Sequence, residues 1–194
     1  MPSLIQRLVV TRRPSCLFLR RGFHLASLDE ISEDAGYTKG AVYSNFRGKD
    51  DLFLALLAEH YERRALAHRQ LLAELDLNDR EATGRAIARV MLEAYEREPA
   101  WWPLVSDFST HASRDSELRE RLRELRETFL GAMAELVEVI AEHHGITYTM
   151  SAHEVARGAG ALMRGLMLDW ILELDDSGRA TVFEERRSRR FSGG

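Results

Sequence analysis

Cysteine and proline are scarce in this chain, and it has no long uninterrupted apolar run. Its 194 residues include one Cys and four Pro, and a single Cys excludes an internal disulfide. Hydrophobic residues make up 45% and charged residues 30%, which excludes a disordered, collagen-like or low-complexity chain. Charged residues interrupt the most apolar segments, so neither an export signal nor a membrane span is predicted. We therefore expect a soluble, cytoplasmic protein without a membrane partner.

Charge is plentiful and unevenly distributed. The formal net charge is −4, from 27 Lys and Arg against 31 Asp and Glu. The first 50 residues hold eight basic and five acidic side chains, a net charge of +3, whereas the other 144 residues hold 19 and 26, a net charge of −7. A basic end on an otherwise acidic chain is a weak indication of a segment that binds a polyanion.

Helical periodicity dominates the sequence and strand signals are nearly absent, which predicts an all-α fold. A capping box of Ser27 and Glu30 predicts a short helix that ends at Gly36, and Thr38 is placed to cap a second one. Further helices are predicted over residues 50–75, 80–98, 101–112, 115–144, 151–174 and 180–190. We divide the chain into a DNA-binding domain at 1–50 and a helical ligand-binding and dimerisation domain at 51–194, with 51–75 as the connecting helix.

Residues 27–46 have the pattern of a helix-turn-helix motif. Apolar residues would pack the two short helices together, and the second helix would offer donors rather than acids to the major groove. An ordinary helical hairpin is the alternative. Gly40 favours the DNA-binding interpretation, because a glycine inside a helix costs about 0.5–1 kcal/mol and is more readily explained by a need for close approach.

The same stretch resembles the tetracycline-repressor (TetR) family of bacterial transcriptional regulators. The matching residues are Gly22-Phe23, 27–31, Ala35-Gly36, 38–43, Phe46 and 49–52. The resemblance implies a homodimer that binds near-palindromic double-stranded operator DNA and responds to a small-molecule effector. It implies repression more than activation, and no cofactor.

Carried over to this sequence, the resemblance implies that Ser27, Tyr43 and Lys49 bind phosphates. It places the groove-facing side of the second helix at Thr38, Lys39, Ala41, Ser44 and Asn45, and Gly40 would leave room there for close approach to DNA. Lys49 also fits this role on physical grounds, since it adds a cation to the free amides that begin the long helix. A packed Tyr43 ring and a solvated Lys39 are the alternatives.

The chain departs from the family in the helix that normally precedes Gly22-Phe23. Pro14 falls within that stretch, and proline is tolerated only in the first turn of a helix. The helix is therefore expected either to begin near Pro14 and be short, or to be kinked. Our hypothesis is that residues 1–13 do not form the expected helix.

Large, soft and aromatic side chains in the second domain predict an apolar effector pocket. Plain core packing is the alternative for each of them. Trp101 and Trp102 stand out because adjacent helical residues cannot both face one core, so one ring should line a pocket or contact a neighbour. The candidate pocket residues are Met91, Tyr95, Trp101, Trp102, Phe108, His111, Met133, Met163, Met167 and Trp170.

Two helices are candidates for subunit pairing. Residues 115–144 carry an apolar heptad stripe that requires a partner helix. In residues 155–174, Gly158 and Gly165 would permit close approach while Leu162, Leu166 and Trp170 extend an apolar face. We predict a two-fold dimer built from these two helices of each subunit.

Two other functions stay open at this point. An all-α enzyme would need a catalytic or metal-binding pattern, and the seven His residues and single Cys form none of the usual motifs, so no catalytic or metal residues are assigned. The second is a helical dimer that has lost DNA binding through its atypical first helix.

Overall fold

The computed structural model describes residues 13–173, except for the side chains of residues 13–16 and 93–97. Within that part the chain forms eight helices and no strand, so the predicted all-α fold is confirmed. The helices are α1 (Arg13–Leu25), α2 (Leu28–Asp34), α3 (Lys39–Tyr43), α4 (Lys49–Glu74), α5 (Arg80–Arg97), α6 (Trp101–Ala112), α7 (Ser116–His143) and α8 (Ala152–Glu173). The predicted helix at 180–190 lies outside the described residues.

Short-range capping explains most of the helix bounds. Ser27 and Glu30 form the predicted capping box at the start of α2, and the Thr38 hydroxyl accepts a hydrogen bond from the Ala41 amide at the start of α3. Gly36 has φ 74°, the left-handed conformation expected after α2. These caps depend only on residues within a few positions of each other, which is why the sequence predicts them.

The first helix is short and interrupted. It begins at Arg13, so Pro14 lies in its first turn, and it is broken at Gly22, where φ is 75° and ψ 169°. Of the two conformations predicted from Pro14, the structure has the start near Pro14; the interruption lies at Gly22 and does not arise from the proline. Residues 1–12, to which most of our hypothesis on the N-terminus refers, lie outside the described residues.

The main core crosses the predicted domain boundary at residue 50. Phe18 and Phe23 of α1 pack with Phe53 of α4 and Phe108 of α6, and each of the four is at most 1% exposed. The ring centroids of Phe53 and Phe108 are 4.3 Å apart. Helix α1 is thus joined to α4 and α6 through one aromatic cluster.

A second, smaller core lies where α7 packs against α4 and α8. Most of the heptad stripe on α7 is covered within the subunit, since Leu118, Leu122 and Leu136 are buried. Val139, at the end of the stripe, stays exposed. The partner that the heptad pattern requires is therefore supplied largely by the same chain.

Candidate DNA interface and effector cavity

The α2–α3 pair is held rigidly by buried apolar side chains. Ile31 of α2 and Val42 of α3 are completely buried, and Phe46 is 4% exposed. Together with the caps and Gly36, this packing fixes the angle at which α3 leaves α2. The motif is a helix-turn-helix with one face of α3 left open.

The predicted groove-facing residues lie together on that open face. Ala41 is half-buried, while the others are exposed. An added Cβ at Gly40 would meet no atom within 4 Å, so the surface around it is open to a partner. The exposed members of the set are Thr38, Lys39, Gly40, Ser44 and Asn45, and Tyr43, predicted to bind a phosphate, is exposed beside them.

A carboxylate on α2 organises two donors of α3. Asp29 accepts hydrogen bonds from Lys39 Nζ at 2.5 Å and from the Tyr43 hydroxyl at 3.2 Å. The bond with Lys39 lowers the pKa of Asp29 and raises the pKa of Lys39. Lys39 and Tyr43 are therefore both solvent-facing and held in place, rather than packed in a core.

The two residues that follow α3 cap its C-terminal end with their side chains. Ser44 Oγ donates to the Ala41 carbonyl at 3.0 Å, and Asn45 Nδ2 donates to the same oxygen at 2.9 Å. At the start of α2, Ser27 Oγ donates to Glu30 Oε2 at 2.8 Å and accepts from the Glu30 amide. A phosphate at Ser27 would share that hydroxyl with the capping carboxylate.

Lys49 closes the end of α1. Its ammonium donates to the carbonyl oxygens of Phe23 at 2.8 Å and His24 at 3.2 Å, and lies 4.6 Å from the centroid of the Phe23 ring. Burial lowers the pKa of Lys49. An ammonium has three hydrogens, so one remains for a phosphate while two hold the last turn of α1.

A cavity of about 260 Å³ lies between α4, α5, α6, α7 and α8. Apolar side chains such as Leu130, Leu136 and Ile140 of α7 make up most of its wall. Trp101 and Trp102 both contribute, from adjacent positions on α6. The Trp101 ring stacks on His60 with centroids 4.4 Å apart, and the guanidinium of Arg64 lies 5.3 Å from the centroid of Trp102.

Two family models match the sequence of this chain. One, described as "Bacterial regulatory proteins, tetR family", matches residues 16–56, and one described as "BetI-type transcriptional repressor, C-terminal" matches residues 80–184, more than half of the chain. The chain belongs to the TetR family. The resemblance found in residues 22–52 is thereby confirmed: the chain is a TetR-family transcriptional regulator, and that family consists of DNA-binding regulators rather than enzymes.

Individual relatives share parts of the chain. The transcriptional activator FasR of Mycolicibacterium smegmatis is 39% identical over 56 residues, which are 29% of this chain and 26% of FasR. The repressor BepR of Brucella suis is 22% identical over 161 residues, 80% of this chain and 75% of BepR. This chain thus spans about a quarter of FasR.

A solved structure shares the whole fold. The fatty acid degradation regulator FadR from Bacillus halodurans matches with a TM-score of 0.70 at 16% identity, over 96% of this chain and 98% of FadR. At that identity the likeness shows the TetR fold alone.

Within residues 13–173, no helix has the length and apolar character to span a membrane, and no three potential metal ligands cluster.

The structure brings four of the ten predicted pocket residues to the cavity of this TetR-family chain: Met91, Trp101, Trp102 and Met133. Phe108 instead lies in the aromatic core, and His111 Nε2 lies 3.1 Å from Asp50 Oδ1 beside α1. Met163 and Met167 are half-buried but outside the cavity wall, and Trp170 is exposed. The Tyr95 side chain is outside the described residues.

Sequence reasoning missed the polar residues of the cavity. Four of them lie on one side of α4: His60, Tyr61, Arg64 and His68. Their helical spacing was a usable signal, because His60 and His68 follow the apolar Phe53 and Leu57 at intervals of three or four residues or twice four. Arg126 of α7, Tyr148, and Arg164 of α8 complete the polar part of the lining.

Both cavity histidines are buried, and burial lowers the pKa of each. His60 and His68 are each 3% exposed. Burial lowers the pKa of His60 against the opposing effect of Glu98, whose Oε2 lies 3.1 Å from His60 Nδ1. For His68, burial and the charge of Arg64 lower the pKa to about 4.

Proposed function

We propose that this TetR-family regulator is a homodimeric repressor that is released from its operator by a small ligand in the cavity. Two copies of α3 would enter successive major grooves, about 34–36 Å apart on a near-palindromic site. The open face of α3 carries this proposal, because its donors are exposed while Val42 and Phe46 are buried. Ser27, Tyr43 and Lys49 would bind phosphates.

Repression is favoured over activation by the comparisons. The C-terminal family model is described as a transcriptional repressor. BepR, which is also a repressor, matches 80% of this chain. FasR, an activator, matches only over a short stretch. A reporter gene behind the upstream DNA should be expressed more strongly when the regulator gene is deleted, and weaker expression would assign activation instead.

Pairing of two subunits is supported by an open apolar face on α8. Gly158 and Gly165 are exposed, and an added Cβ at either would meet nothing within 4 Å. Leu162 and Leu166, on the same face, are 64% and 50% exposed. A helix face of this composition can pack closely against its copy in a four-helix interface.

The dimer is tested by light scattering at micromolar concentration. Leu166→Glu should shift the protein to a monomer, because it buries a charge in the proposed interface. Leu66→Glu, a change at an exposed leucine of α4, should leave the dimer intact. A monomeric unsubstituted protein would contradict this interface.

Ligand control is supported by the position of α6. Its first turns contribute Trp101, Trp102 and Val105 to the cavity wall, and its later residues Phe108 and His111 contact Phe23. A ligand that displaces α6 would therefore displace α1 and, with it, the two copies of α3. This is a population shift between two arrangements rather than a chemical reaction.

DNA binding is tested by fluorescence anisotropy with the protein's own upstream DNA and a scrambled duplex. The operator should bind at least about a thousandfold more tightly than the scrambled duplex. Lys39→Ala should weaken operator binding by about 1–3 kcal/mol. Arg85→Ala is the matched control, since Arg85 is also an exposed cation paired with a carboxylate, Glu81 of α5.

The outcome separates the regulator from its alternative. Equal affinity for both duplexes, or no binding, would favour a helical dimer that has lost DNA recognition. Equal losses in Lys39→Ala and Arg85→Ala would show that general charge, rather than the α3 surface, holds the DNA.

A further inference from the structure

The charged groups of the cavity wall have one sign. Arg64, Arg126 and Arg164 contribute to it, and no Asp or Glu is present among the described lining residues. Glu98 and Glu127 are engaged by other side chains: Glu98 by His60 and Arg63, and Glu127 by His153 and Arg157. A cationic wall that is otherwise apolar favours an anionic ligand with an apolar body.

The charges of all three lining arginines act on Tyr61, which also lines the cavity. All three lower the pKa of the Tyr61 hydroxyl, although burial has the larger and opposite effect. Their positive charge therefore acts on the same point of the wall. Within the described part of the chain, Arg126 makes no ion pair, so its charge is the one most directly available to a ligand.

His68, a residue of the cavity wall, keeps a buried hydrogen-bond acceptor without a partner in the described part of the chain. Its Nδ1 lies 2.7 Å from the Arg64 carbonyl oxygen, and because a carbonyl only accepts, the proton is on Nδ1. Nε2 then carries a lone pair. That atom is buried and has no hydrogen-bond partner among the described residues. A buried acceptor without a partner is costly, and a donor on a ligand would remove that cost.

The cavity has room for a ligand that contains a ring. At roughly 30 Å³ for one water molecule, its 260 Å³ is the space of several waters. Aromatic rings from Tyr61, Trp101, Trp102 and Phe129 contribute to the wall, and flat rings pack well against such surfaces. A single substituted ring is of the right size and shape.

We propose that the cavity binds a small aromatic anion that carries a hydroxyl group, with the anionic group held by the arginines and the hydroxyl donating to His68 Nε2. This inference rests on the proposed function, because it names the ligand class of the cavity assigned there to the effector. Binding itself requires no DNA. The two ideas can therefore fail separately.

The ligand class is tested by calorimetry on the full chain at neutral pH with matched probes. Para-hydroxybenzoate and the longer para-hydroxyphenylacetate carry both groups, benzoate lacks the hydroxyl, and para-hydroxybenzylamine carries a cation in place of the anion. At least one hydroxylated anion should bind. Benzoate should bind roughly tenfold more weakly than para-hydroxybenzoate, and the amine should be weaker than benzoate.

Substitutions assign the two contacts. His68→Leu should lower the affinity for para-hydroxybenzoate to that of benzoate while leaving benzoate unchanged, and His68→Gln should restore it because the amide oxygen accepts. Arg126→Gln should weaken both anions roughly tenfold. Arg123→Gln is the control, since Arg123 is on the same helix but exposed and paired with Glu120. Circular dichroism checks that each variant is folded.

Several results would overturn the proposal: no binding of either hydroxylated anion, binding of the amine as tight as that of the anions, or equal losses for benzoate and para-hydroxybenzoate in His68→Leu. That last result would mean that His68 only shapes the cavity or is satisfied by water. If the probes bind as expected but the upstream DNA is not bound, the proposed function fails and this inference stands. If DNA is bound and no probe binds, the reverse holds.

Discussion

Acid should destabilise this protein measurably through a single cavity residue, His68. The side chain is 3% exposed, and burial together with the charge of Arg64 lowers its folded-state pKa from 6.5 to about 4. Above pH 6.5 the histidine is neutral in both the folded and the unfolded chain. Its contribution to stability is therefore fully present there.

The loss begins when the pH falls below the unfolded-state value. Between pH 6.5 and about 4, His68 is protonated in the unfolded chain but not in the folded chain. The free energy of unfolding therefore falls by about 1.4 kcal/mol for each unit by which the pH is lowered. Over the whole window this amounts to about 3 kcal/mol, and between pH 7 and pH 5 to about 2 kcal/mol.

Urea unfolding at pH 7 and pH 5, at a fixed protein concentration, measures this loss. The unsubstituted chain should lose about 2 kcal/mol more than His68→Leu between the two pH values. His60, whose pKa burial also lowers, is present in both proteins, so its titration cancels in the difference. Identical pH dependence in the two proteins would show that His68 is hydrated when folded and would refute this reasoning.

Three further substitutions test the frame around the two sites. Gly22→Ala should cost about 1–3 kcal/mol by thermal unfolding, since a Cβ there has space but the backbone conformation strongly favours glycine. Gly40→Ala should instead stabilise the protein by about 0.5–1 kcal/mol while weakening DNA binding. A stabilised fold in both variants would contradict this account. Phe108→Ala should cost about 3–5 kcal/mol in urea unfolding, because the ring is fully buried among Phe23 and Phe53, and a cost below 1 kcal/mol would show that the cluster repacks. Lys49→Met should weaken binding to operator and scrambled duplexes alike. It should also reduce the slope of log affinity against log salt concentration by about 0.9, as expected for one lost phosphate contact. An unchanged slope would show that Lys49 contacts α1 but no phosphate.

Local capping made the DNA-binding motif predictable from sequence. Ser27 with Glu30, Gly36 and Thr38 act on atoms within a few residues, so α2 and α3 begin where the sequence indicates. The outward set on α3 followed from helical spacing around the buried Val42. Lys49 was harder, because the carbonyl groups it contacts belong to residues 25 and 26 positions earlier.

The pocket was only partly predictable, since residue type does not say which helix face encloses a space. Phe108 and Met133 look alike as pocket candidates, yet one completes the aromatic core and the other lines the cavity. The heptad stripe of α7 required a partner helix, and only the fold showed that the same chain supplies most of it.

By itself, the sequence determined the all-α class, the positions of the caps and the helix-turn-helix surface, because these depend on interactions within one or two helical turns. Tertiary structure alone decided which side chains meet in the cavity, that His68 Nε2 is buried in its wall without a partner among the described residues, and that Lys49 holds α1. Each of these depends on helices packing side by side, which brings together residues that are far apart in the chain.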